Sequence, residues 1–105
     1  MQVTFAQNML LYPEGDRGKL QRQLRHRRAV ELYCVCACPN HPYPLEIFEA
    51  KELYKALKQE TNYHIVALAR DEKEALDMTV GVIERLVERD PQLCSVKETI
   101  GEIFQ

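Results

Sequence analysis

Tryptophan is absent, serine occurs once, and only four glycines are spread through the 105 residues. These absences exclude several machineries. There is no G-x-G-x-x-G fingerprint, no P-loop, no H-E-x-x-H pair and no calcium loop. Ser95, the only serine, stands where a helix cap belongs, so a serine nucleophile is disfavoured. No apolar run approaches the roughly 20 residues that a membrane helix needs. Met1 to Ala6 lack a basic stretch followed by an apolar one, so no signal peptide is expected. Enzyme activity is disfavoured, no cofactor and no membrane contact are expected, and a cytoplasmic protein is the fitting reading.

What is present is ordinary for a folded domain: 46% of residues are apolar and 29% charged, which fits a single domain over residues 1–105. The net charge of −2 hides an asymmetry. Arg17, Lys19, Arg22, Arg25, Arg27 and Arg28 follow one another without an acid, whereas Glu46 to the C-terminus holds 13 acids against 8 bases.

The chain is organised around Ala29 to Cys38, a run of β-branched, aromatic and small apolar residues that Pro39 stops. Both of its faces are apolar, as in a central strand covered on each side. Three prolines in residues 39–44 exclude helix and ladder pairing there. Leu45 to Glu49 then returns as a second strand, giving an antiparallel hairpin over residues 29–49. Residues 62–69 form a third strand beside it. Residues 1–12 alternate weakly, but Phe5, Met9 and Tyr12 also recur at helical spacing, and a helix is expected. Leu20 and Leu24 mark a thinly apolar helix over Lys19 to Arg27, so that residues 1–28 form a peripheral helical segment. Ala50 to Gln59 is a short amphipathic helix.

Asp71 and Glu74 have capping-box spacing at the start of the longest helix. Its expected buried stripe is Leu76, Thr79, Val80, Ile83 and Val87, widened by Met78, Val82 and Leu86, and Gly81 within it suggests a close backbone neighbour. Ser95 and Glu98 repeat the capping pattern before a last short helix. The expected class is α+β, a three-stranded sheet packed with helices in the order α-α-β-β-α-β-α-α.

Cys34, Cys36 and Cys38, with His41 nearby, are the residue types zinc or copper would take, or a redox site would use. On a strand, alternate residues are roughly 6.6–6.8 Å apart with parallel side chains, at the limit of disulfide geometry. Cysteine also behaves as a small buried hydrophobe, so core packing by free thiols is the competing reading and no bound metal is expected. Cys94 is isolated. His26 and His64 have no catalytic companion.

Gly15-Asp16-Arg17-Gly18 lies between an expected helix and a basic helix, followed by strand, loop, strand and helix. That order is similar to the middle of a KH domain, whose G-x-x-G loop clamps a nucleic-acid backbone. It would cover residues 3 to 60, but lacks a clear first strand, has Asp16 where bases usually sit, and has Leu20 one place early. Residues 63–104, ending Ile-Gly-Glu-Ile-Phe, resemble small uncharacterised bacterial proteins that carry no assigned function.

Three functions remain open. The first is a small non-catalytic interaction or regulatory module acting as a homodimer, with a protein partner. A homodimer is expected because two strands buried on both faces are more than 105 residues readily cover. The second is a nucleic-acid binder using Arg17, Lys19, Arg22, Arg25, Arg27 and Arg28, against which the acidic balance counts. The third is a thiol metal or redox site at Cys34, Cys36 and Cys38.

Overall fold

A strand buried on both faces must pair its amides and carbonyls along both edges, and residues 63–69 do so. The computed structural model describes residues 3–28, 31–38, 42–58 and 62–105. Its elements run β1 (Val3–Leu11), α1 (Arg17–Arg25), β2 (Tyr33–Ala37), β3 (Glu46–Glu49), α2 (Ala50–Leu57), β4 (Tyr63–Ala69), α3 (Glu72–Arg89) and α4 (Val96–Ile103). The fold is mixed α+β, with a four-stranded sheet in the order β1-β4-β2-β3. The hairpin β2–β3 is antiparallel, and β4 pairs antiparallel with β2. The expected strand start at Ala29 and Val30 lies outside the described residues.

The fourth strand corrects the sequence reading. Residues 3–11 are not a helix; they pair parallel with β4, Val3 with Tyr63 and Phe5 with Ile65. The helix-like spacing has a definite cause. Between Phe5 and Leu10 the register slips, so that β1 spends five residues where β4 spends two. Strict alternation is lost there, and Ala6 and Met9, three apart, are both buried. A bulged strand thus mimics a helical period.

The order of elements places helices on both sheet faces. Thr4 and Phe5 are neighbours on a strand and point to opposite faces. The Arg25 guanidinium of α1 lies 5.2 Å from the centre of the Phe5 ring. On the other face Thr4 meets His64, which reaches the Phe104 carbonyl just beyond α4. α3 packs on β4, β2 and α4, and its Arg85 lies over the Phe104 ring. The chain's own helices therefore cover the second sheet face that was expected to need another copy. Val35, Cys36 and Ile65 to Ala69 are fully buried as a result.

Local signals hold in part. Asp16 caps α1 by accepting from the Lys19 amide at 3.0 Å, and Asp71 caps α3 by accepting from the Glu74 amide at 2.8 Å. Glu74 does not close the expected reciprocal box. Its carboxylate turns to Arg70, accepting from the backbone amide at 2.8 Å and from the guanidinium at 2.7 Å. Ser95 caps nothing with its hydroxyl. Asp90 instead accepts from the amides of Cys94 and Ser95 at 3.1 and 2.8 Å. Gly81 faces open space, not the expected backbone neighbour.

Candidate functional site

The most informative departure lies on α3. A helix turned onto a sheet buries one stripe, and here that stripe is Ala75, Val82 and Leu86. While Thr79 is half-buried and the flanking Val82 and Leu86 are buried, four members of the main stripe expected from the sequence face outward instead: Leu76, Val80, Ile83 and Val87 are 51, 53, 44 and 41% exposed. Their spacing of four, three and four residues puts them on one line along the helix. Four half-exposed aliphatic chains in a row present on the order of 300 Å² of apolar surface, the size of patches that are often functional on monomers. Lys73, Asp77, Glu84 and Glu88, all exposed, border the row on one side. The longest helix is thus apolar on two sides, and only one is used internally.

The sheet edges are closed to pairing by several devices. On β1 the Arg17 guanidinium donates to the Ala6 carbonyl and the Asn8 side chain donates to the Ile103 carbonyl. The register slip further disturbs that edge. β3 is four residues long with Glu46 and Glu49 at its ends, the short, charged edge that resists addition of a strand.

The cysteine run packs in the core. Cys34 and Cys36 are wholly buried and Cys38 nearly so, and all three are free thiols. Burial pushes the Cys34 thiol up to about 12. Burial, reinforced by Cys34, Glu46 and Cys38, pushes Cys36 well above the usual thiol value. The thiolate is the form that binds metals and attacks disulfides, and this setting withholds it. Among the described residues no three His, Cys, Asp or Glu side chains converge as a metal would need; His41 lies outside them. Cys94 is exposed.

A cavity of about 280 Å³ opens at the sheet end beside Cys38, Pro44, His64, Lys97, Ile100 and Phe104. His64 has both ring nitrogens engaged. A carbonyl only accepts, so Nε2 carries hydrogen and donates to Phe104 at 2.7 Å, while Nδ1 meets the Thr4 hydroxyl at 2.7 Å. The ring ties β1, β4 and α4 together and has no nitrogen left for a substrate.

The Gly15–Gly18 segment is not a loop between helices. Asp16 is the α1 cap, Gly18 lies inside α1, and a strand precedes it. The order that prompted the KH comparison is therefore absent. The six basic residues do gather on and just after α1. Lys19, Arg22, Arg25, Arg27 and Arg28 are exposed, and Arg17 is half-buried against Ala6.

No family model, curated protein or solved structure matches the chain. Function is therefore read from this geometry alone. Sequence reasoning named the α3 row but assigned it to the interior. The breadth of the apolar arc was legible, since Met78, Val82 and Leu86 widen the expected stripe, but which side of that arc meets the sheet was not, and Ala75 on the buried side was missed.

Proposed function

We infer that the protein is a small non-catalytic interaction module that associates with a second copy of itself through α3. The exposed row Leu76, Val80, Ile83 and Val87 carries this reading. A two-fold axis between Val80 and Ile83 would set two α3 helices antiparallel. Leu76 then meets Val87 of the other copy, Val80 meets Ile83, and Lys73 comes opposite Asp90. Every apolar position finds an apolar partner, as in a coiled-coil seam. Two such rows supply about 600 Å² of apolar core, which with a polar rim reaches the roughly 1,200 Å² of a small specific interface. On the rim of this pairing Asp77 comes beside Glu84 of the other copy, and Lys73 beside Glu88 and Asp90, so like and opposite charges both flank the apolar seam.

Multi-angle light scattering at roughly tens of micromolar tests the reading, using the association free-energy scale to choose concentrations. A dimer that Val80→Asp converts to a folded monomer is the expected result. A monomeric parent protein refutes it.

A further inference from the structure

α1 carries the densest charge of one sign in the chain, and the structure divides it into two groups. Arg17 donates to the Ala6 carbonyl, and Arg25 stacks over Phe5. Lys19, Arg22, Arg27 and Arg28 are exposed and, among the described residues, have no carboxylate partner. Arg70 and Arg89 differ, pairing with Glu74 and Glu102. Lys19, Arg22 and His26 fall at i, i+3 and i+7, on the helix side turned away from buried Leu20 and Leu24.

An ordinary helix end would carry Arg28 away from this face, but the chain turns back. The Arg27 amide donates to the Leu24 carbonyl at 3.1 Å and the Arg28 amide to Gln23 at 2.8 Å. That pattern is a Schellman closure, whose left-handed residue is usually glycine. Here it is Arg27, at φ 56°. A side chain at that φ is sterically disfavoured, so an arginine is held where glycine would fit better. The turn lets Arg28 line a groove of about 310 Å³ with Lys19, Arg22, Gln23 and His26.

We propose that this groove binds the phosphate backbone of a nucleic acid, independently of sequence. Three of the four unpaired cations are arginines, whose planar forks match phosphate oxygens. The nine-residue helix spans about 13.5 Å, enough for about four phosphates of one strand. The outward face carries no apolar residue to enter a bilayer, and it has no apolar anchor for a protein hot spot. No Phe, Tyr or Trp lines the groove, whose one ring is the His26 imidazole, so it lacks the broad stacking platform of a base-reading site. The acidic remainder of the chain confines the polyanion to this face. α1 lies on the sheet face opposite α3, so binding and self-association are separate.

Fluorescence anisotropy with a short labelled oligonucleotide, single-stranded and duplex, tests the site. Four phosphate contacts give a log–log salt slope of about −3 for a single strand, so affinity falls on the order of 50-fold from about 50 to about 200 mM salt. Arg22→Gln combined with Arg28→Gln halves that slope and leaves the dimer mass unchanged. Arg27→Gly raises the melting temperature yet weakens binding several-fold, whereas Arg27→Lys preserves binding. A purely structural residue would move both readouts together. Absence of binding at about 50 mM salt overturns the assignment, as does a slope indifferent to these substitutions. Preferential binding to phosphatidylserine vesicles overturns it too.

Discussion

Adjacent residues of α3 give the sharpest test of its double-sided character. Val82 is fully buried against the sheet, and Ile83 is 44% exposed. Burying an isoleucine completely stabilises by about 1.5–3 kcal/mol. Covering the exposed part of Ile83 in a dimer therefore contributes about 1 kcal/mol per side chain. The two-fold axis counts it twice, so Ile83→Ala removes about 2 kcal/mol of association, roughly a 30-fold rise in the dissociation constant. Within a single chain the same change costs at most about 1 kcal/mol, partly offset by alanine's better helix propensity. Val82→Ala behaves inversely: it opens a cavity in the core, costs about 2 kcal/mol of folding stability, and leaves association unchanged. Sedimentation equilibrium measures the first quantity, and denaturant unfolding at low protein concentration measures the second. The reasoning fails if Val82→Ala weakens association as much as Ile83→Ala, or if Ile83→Ala unfolds the monomer without moving the dissociation constant.

Other outcomes follow from single observations. Native labelling with a thiol reagent should modify Cys94 quickly, and Cys34, Cys36 and Cys38 only on unfolding, because burial raises the Cys34 and Cys36 thiols and removes access; fast modification of more than one thiol in mass spectra of the folded protein contradicts this. Hydrogen bonds from the Arg70 side chain and backbone hold the Glu74 carboxyl below its usual 4.5. A lowered carboxylate stabilises the fold above its unfolded value, and that contribution fades as pH falls through the folded value. Glu74→Gln should thus destabilise at neutral pH and match the parent in strong acid, read from melting curves across pH. Leu93, exposed at φ 53°, should accept glycine with a gain of up to about 1 kcal/mol in folding stability. Asp71→Ala should cost about 1 kcal/mol by stranding the α3 cap amide.

The two proposed surfaces use different physics and different faces of the sheet. α3 offers apolar area bordered by acids, and α1 offers cations around an open groove. A module that pairs through one and holds a polyanion on the other would present two basic grooves per dimer. Linked sites raise apparent affinity when the polymer spans both.

Composition and pattern alone determined much of this protein. Runs apolar on both faces at residues 29–38 and 63–69 pointed to interior strands, and Tyr33–Ala37 and Tyr63–Ala69 are such strands. Pro42 and Pro44 suit the break before β3, while Pro39 lies outside the described residues. Asp71 and the α3 periodicity placed the longest helix, and the spacing of Cys34, Cys36 and Cys38 spoke against a disulfide. Three features were decided only in three dimensions. β1 became a strand because β4 had an unpaired edge, a demand made 60 residues away, and its bulge erased the alternation that would have revealed it. α3 buried Ala75, Val82 and Leu86 because small and branched residues let the helix approach the sheet closely. A helix apolar on two sides carries no local mark of which side turns inward; the sheet it packs on makes that choice. Arg28 joined the basic groove through a left-handed turn at Arg27, a backbone state that the residue's identity argues against. Periodicity fixes which residues share a face, and the partners that the chain folds onto fix where that face points.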